Sequence, residues 1–200
     1  MNYYLFGLQR SGTNLVQNLI EDNYGLKPAN AAPEEWKHSM KPNLKNDYPV
    51  FKVIKNPYTW VESIVYRERA DFFQKHDFDF FQTGPFMVED VNLNMLMYVY
   101  KTWYDQWKDK GTLIKYEDIL YPEQQREYFA KHFGDLGSWK TVAPGSMFMC
   151  EEFKYEDLEY YEKQKPTKLT GMQVKIINKV MTKYFFIETG FKMLRVKGLI

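Results

Sequence analysis

A short stretch near the start of the chain, Phe6-Gly7-Leu8-Gln9-Arg10-Ser11-Gly12-Thr13-Asn14, has the residue types and spacing that hold an anion. Glycines bound a loop between an apolar run and a stretch of helical periodicity. Such a loop points several backbone N–H groups at one spot on a helix N-terminus, where the helix dipole adds about half a positive charge. Gly12 lets the backbone pass close to a ligand, the Ser11 and Thr13 hydroxyls can donate, and Arg10 brings a cation into the loop. In the nucleotide-triphosphatase loop, G-x-x-x-x-G-K-[ST], the glycine spacing is the same. Here, however, Thr13 takes the lysine position and Asn14 that of the metal-binding hydroxyl. A kinase needs Mg²⁺ to neutralise a triphosphate, so the altered loop predicts an anion handled without metal. The plainer reading of Ser-Gly-Thr is a simple helix cap.

These residues need elements to position them. Tyr3–Gly7 is apolar and aromatic, closes on glycine, and reads as a buried strand. Leu15, Val16, Leu19 and Ile20 then recur at helical spacing, giving strand, tight glycine loop and helix. Val50–Ile54 is a second buried strand. Pro57 suits the first turn of a helix running to about Arg69, with Trp60, Val61, Ile64 and Val65 as its inward stripe. Asp71–Met87 is a Phe-rich irregular excursion. Asp90 caps a long helix to about Lys108, with Leu93, Leu96, Met97, Tyr100, Trp103, Tyr104 and Trp107 on its buried side. Gly111 ends that helix, and Thr112–Tyr116 is a third strand. A helix from Pro122 to Phe133 and a last helix from Thr170, with Val174, Ile177, Val180 and Met181 in register, complete the chain. Strands separated by helices predict an α/β fold with a parallel sheet. With no repeat, low-complexity tract or linker, residues 1–200 read as one domain.

Composition narrows the function classes. The hydrophobic fraction is 44% and the charged fraction 26%, which excludes a disordered tail, a collagen and a disulfide scaffold. The 27 basic and 26 acidic residues leave a net charge of +1, so no global field holds a nucleic-acid polymer and any anion site is local. Cys150 is the single cysteine and fits a reducing compartment. Met1–Ile20 lacks the basic front and unbroken apolar core of a signal peptide, and Val91–Trp103 is too short and polar to span a bilayer. Both point to a cytoplasmic protein.

The loop resembles the 5′-phosphosulfate loop of the sulfotransferases that use 3′-phosphoadenosine-5′-phosphosulfate (PAPS), where P-K-S-G-T-T follows the first strand. Gln9-Arg10-Ser11-Gly12-Thr13-Asn14 keeps the cation-Ser-Gly-Thr order. After the second strand, Lys55-Asn56-Pro57-Tyr58-Thr59-Trp60-Val61-Glu62-Ser63 is similar to the family's R-N-P-x-D-x-x-x-S, whose arginine and serine hold the donor's 3′-phosphate. The cation-to-serine spacing of eight is kept by Lys55 and Ser63, while lysine loses the bidentate geometry of arginine and Thr59 replaces the Asp. Arg67 is a further cation one turn on. Lys115-Tyr116-Glu117-Asp118-Ile119-Leu120 resembles the family's Y-E-D-L segment, whose tyrosine sits beside the adenine. A packing role is the other reading of Tyr116, and Glu117-Asp118 reads as a pair that caps the next helix and orders its neighbours.

The resemblance implies a three-layer, P-loop-like fold with a central parallel sheet flanked by helices, and sulfuryl transfer from PAPS to a hydroxyl or amine without metal. Its cofactor-binding residues are Gln9, Arg10, Ser11, Gly12, Thr13, Asn14, Lys55, Ser63 and Tyr116. The family's catalytic histidine precedes the 3′-phosphate cation at a comparable interval to His38, which stands seventeen residues before Lys55, and this makes His38 the general base. Arg10 takes the role of the loop lysine and stabilises the leaving phosphate, and Lys37 is a candidate second cation on the sulfuryl oxygens. His76 and His132 read as surface or packing residues. The acceptor is a small molecule, a saccharide or a tyrosine, with the Phe-rich segment either a lid over it or plain core. A small P-loop kinase and a non-catalytic nucleotide-binding domain are the alternatives.

Overall fold

The computed structural model of the chain describes residues 2–31, 37–40, 44–65, 90–141 and 169–196. Among the described residues four parallel strands form one sheet in the order β2-β1-β3-β4, with β1 at Asn2–Gly7, β2 at Lys27–Pro28, β3 at Val50–Ile54 and β4 at Thr112–Lys115. The described helices are α1 Thr13–Tyr24, α2 Pro57–Val65, α3 Asp90–Trp107, α4 Pro122–Phe133 and α5 Gly171–Thr189. The fold is therefore α/β with an all-parallel sheet. Contacts group the chain into two compact units, Met1–Asn56 with Trp103–Lys163, and Pro57–Thr102 with Gln164–Ile200.

The first unit contains these four strands. Parallel strands must be covered on both faces, and the period-two alternation of β1 divides its side chains accordingly. Tyr3 and Leu5 join Leu15, Val16, Leu19 and Ile20 of α1, Phe51 and Val53 of β3, and Phe129 of α4 in one apolar core. On the opposite face Phe6 meets Trp107, with ring centroids 4.1 Å apart. Lys52, only 1% exposed, points to this face and donates to the carbonyls of Trp107 (2.6 Å) and Lys108 at the end of α3. A buried ammonium on the last carbonyls of a helix meets the negative end of its dipole.

Two features of the first unit escape the sequence pattern. β2 pairs with β1 through only two residues, Asn2 with Lys27 and Tyr3 with Pro28. Beyond Pro28 the side chain of Asn30 takes over: its Oδ1 accepts from the Leu5 N–H (3.1 Å) and its Nδ2 donates to the Leu5 carbonyl (2.6 Å). One carboxamide thus satisfies both backbone groups of a buried strand residue, as a further strand residue would. The third strand stops at Lys115, one residue earlier than the apolar pattern predicts, because Tyr116 opens a 3₁₀ turn, Tyr116–Ile119.

In the second unit the expected inward stripe of α2 is too narrow a description. Tyr58, Thr59, Trp60, Val61, Glu62, Ser63 and Ile64 are all buried. A helix buried all round must satisfy its polar groups internally, and it does so. Glu62 Oε1 accepts from the Leu169 N–H at 3.1 Å. The Tyr58 hydroxyl donates to Asn178 Oδ1 and accepts from the Leu194 N–H (3.0 Å), holding the segment after α5. Trp60 packs edge-on against Tyr100, and Tyr100 against Phe185. α5 starts with a capping box in which Thr170 Oγ1 accepts from Gln173 N–H (3.2 Å) and Gln173 Oε1 accepts from Thr170 N–H (2.8 Å). Its course is kinked at Thr182, which has φ 61°. No helix among the described residues is long and apolar enough to cross a membrane.

Candidate functional site

The chain leaves β1 for β2 on one side, whereas β3 pairs with β1 on the other. In a parallel sheet this change of direction opens a crevice beyond the C-terminal strand ends. Register decides what lies there. Gly7 pairs with Val53 and Ile54 with Lys115. The loop after Gly7, the Lys55-Asn56 step and Tyr116 therefore leave the sheet side by side.

The loop has the backbone of an anion cradle. Arg10 has φ 66° and Gly12 φ 98°, with Ser11 between them on the ordinary side of φ. Alternation of left- and right-handed residues turns successive N–H groups into one concavity. α1 starts at Thr13 with Gly12 as its N-cap, a residue with no side chain to cap the helix. The first-turn N–H groups of such a helix look outward for an acceptor.

Ser11 differs from its expected part. It is 1% exposed, and its hydroxyl donates to the Leu8 carbonyl at 2.7 Å. It staples the loop shut instead of presenting a donor. The same packing explains Gly7, where a Cβ would lie 2.6 Å from Ser11 Oγ and 2.8 Å from the Val53 carbonyl. Thr13 is also buried, while Gln9, Arg10, Gly12 and Asn14 are partly exposed.

Lys37 and His38 close on this loop from outside. The Gly7 N–H donates to the Lys37 carbonyl (2.9 Å), and His38 Nδ1 lies 2.6 Å from the Gly7 carbonyl. A carbonyl only accepts, so the proton sits on Nδ1 and Nε2 carries the lone pair, the tautomer of a proton acceptor. Burial pushes the imidazole down to about 4; the Gly7 hydrogen bond opposes the shift and the Lys37 charge adds to it. Lys37 Nζ donates to Asn14 Oδ1 at 2.5 Å and to Gln17 Oε1 at 3.4 Å. Burial also lowers the Lys37 ammonium's pKa, against the pull of Glu21. Gly7 and Asn14, the two ends of the loop, are thus both held by one dipeptide.

Lys55 is 4% exposed, so it is no ordinary surface cation, and its Nζ stands 4.9 Å from the centroid of the Tyr116 ring. The same ring lies against Gly12, where a Cβ would come within 2.2 Å of Cδ2. Glycine is required at this position by Tyr116 as well as by the positive φ. Glu117 Oε1 accepts from the Asn56 N–H (2.9 Å), tying the end of β3 to the 3₁₀ turn, and Asp118 pairs with Lys115 at 3.2 Å. The Glu117-Asp118 pair thus orders its neighbours, as expected, but the N-cap of α4 is Tyr121.

The structure brings the loop, Lys37, His38, Lys55 and Tyr116 together. Ser63 sits in α2 within the second unit, 3% exposed, with its hydroxyl donating to the Trp60 carbonyl at 2.8 Å; it does not face solvent. Arg67, His76, Cys150 and the Phe-rich segment lie outside the described residues. His132 flanks Phe51 and Tyr128 as a packing residue. Two residues absent from the sequence-derived set support the site, Asn30 and Lys52. A lone asparagine in a connection and a lysine inside an apolar strand give no signal until their partners are known. No family model matches the chain, nor does any curated protein or solved structure.

Proposed function

We propose that this chain is a PAPS-dependent sulfotransferase of three-layer, P-loop-like architecture, moving a sulfuryl group to the hydroxyl or amine of a small-molecule, saccharide or tyrosine acceptor. One observation carries the reading: the glycine loop at the start of α1 and the buried Lys55 ammonium lie against the same Tyr116 ring. Two anion-attracting centres one aromatic ring apart suit a single nucleotide with phosphates at both ends of its ribose. Lysine serves the far phosphate as a point charge, without the fork of an arginine. The resemblance gives the 3′-phosphate to Ser63 as well; in the second unit its hydroxyl donates to the Trp60 carbonyl.

In the proposed reaction the acceptor oxygen forms a bond to sulfur as the bond between sulfur and the phosphate's bridging oxygen breaks. Arg10 cannot deprotonate, so it acts as a fixed positive charge beside the oxygen that gains charge. His38 Nε2 takes the acceptor's proton. With its pKa near 4 the ring is neutral across the physiological range. It is a weak base, so the proton moves late, once bond formation to sulfur has acidified the acceptor.

Calorimetric titration with adenosine 3′,5′-bisphosphate, followed by labelled-sulfate transfer from PAPS to alcohols, phenols, saccharides and a tyrosine peptide, tests the reading. Bisphosphate binding with transfer to one acceptor class supports it. Mg²⁺-dependent turnover of ATP without bisphosphate binding identifies a kinase instead, and binding with no transfer identifies a nucleotide-binding domain.

A further inference from the structure

The resemblance gives Tyr116 a place beside the donor's base, but its surroundings fit a different part. A purine stacking on a tyrosine needs a whole open ring face. In Tyr116 one face lies under the Lys55 ammonium and the Cδ2–Cε2 edge lies against the Gly12 backbone. Lys55 is itself 4% exposed, so ring and ammonium are fixed in the same packed environment. A planar side chain with two torsions loses little freedom there and holds its width rigidly. Its electron-rich face is also what two positive centres need between them: Lys55 gains a cation–π contact, and its repulsion from the positive N-terminal end of α1 is limited by distance.

We infer that Tyr116 is a positioning and specificity-determining residue, a spacer that sets the distance between the loop's anion cradle and the Lys55 ammonium and so selects ligands carrying two phosphates at that separation. This rests on the nucleotide reading proposed above and replaces the base-contact role for Tyr116. The spacing is set by three neighbouring strand ends, because Ile54 pairs with Lys115 and Gly7 with Val53, so that Lys55, Tyr116 and the loop emerge in register. A shorter, non-planar side chain at 116 lets the ammonium and the loop drift. Only a ligand that grips both then suffers.

The test is calorimetric titration of the full chain, wild type, Tyr116→Leu and Tyr116→Phe, with adenosine 3′,5′-bisphosphate and with adenosine 5′-monophosphate, at one ionic strength and with melting curves to verify folding. A second phosphate on a buried ammonium makes the wild type prefer the bisphosphate by about tenfold or more. In Tyr116→Leu the preference falls to about threefold or less, the loss confined to the bisphosphate, while Tyr116→Phe keeps the wild-type ratio. Equal weakening of both ligands overturns the inference, since a base platform or general damage affects both alike. An unchanged ratio in Tyr116→Leu also overturns it. Should the leucine variant not fold, a collapsed ratio in Tyr116→Phe does the same by shifting the effect from ring to hydroxyl. A wild type that binds neither nucleotide removes the nucleotide reading itself, a result distinct from binding without the expected preference.

Discussion

At the scale of single residues, variants of His38 and Arg10 tell the proposed chemistry from binding. His38→Ala is expected to slow transfer by ~10²–10⁴-fold, the size of a lost general base, while bisphosphate affinity stays within about threefold. Unchanged turnover would remove His38 from the mechanism. Burial holds its pKa near 4, so the acid limb of kcat/KM belongs near pH 4 and not at the 6.5 of a free imidazole. The same shift acts on stability. A depressed folded-state pKa favours the neutral ring, so this contribution is complete above about pH 6.5 and lost as pH falls toward 4. Melts of wild type and His38→Gln between pH 7.5 and pH 4.5 should therefore converge on acidification. Arg10 sits at φ 66°, a conformation that costs a non-glycine residue about 1 kcal/mol. Arg10→Gly relieves that cost but adds unfolded-state freedom, so its melting point should stay close to wild type while transfer falls by about 10²-fold or more. A parallel fall in both would make Arg10 a structural residue.

At the scale of elements, the strand ends that present the site depend on polar groups buried within the sheet. Asn30 satisfies both backbone groups of Leu5, three residues ahead of the loop. Asn30→Ala leaves a buried N–H and C=O unmade and should cost about 2–4 kcal/mol in denaturant unfolding, with Asn30→Asp only partly restoring it because the Nδ2 donor is gone. A loss below ~0.5 kcal/mol would mean that solvent reaches Leu5. The elements themselves were largely legible. Val50–Ile54 and Pro122–Phe133 match their apolar patterns end to end, and Leu93 through Trp107 bury the side that the period predicts. What failed were the short pieces: a two-residue strand has no period to read, and an all-buried helix such as α2 conceals its polar residues among apolar ones.

At the scale of the whole molecule, a ligand that binds only the folded chain raises its stability by mass action, by about 2.7 kcal/mol at a hundred times its dissociation constant. Adenosine 3′,5′-bisphosphate should therefore raise the melting temperature in a concentration-dependent way, equally with EDTA or Mg²⁺ present, and transfer should proceed fully in EDTA. A shift that needs Mg²⁺ would return the loop to the kinase class. Read alone, the sequence determined the α/β class, the order of the long elements and the glycine loop between strand and helix, because periodicity and glycine placement are local properties of a chain. It also marked Lys55 and His38 as candidates. Only the tertiary structure decided that Ser11 turns inward, that Lys37-His38 closes on both ends of the loop, and that Gly12 and Lys55 meet at one tyrosine ring. Those outcomes depend on strand register and on what each buried polar atom finds as a partner, and neither is written in any one segment.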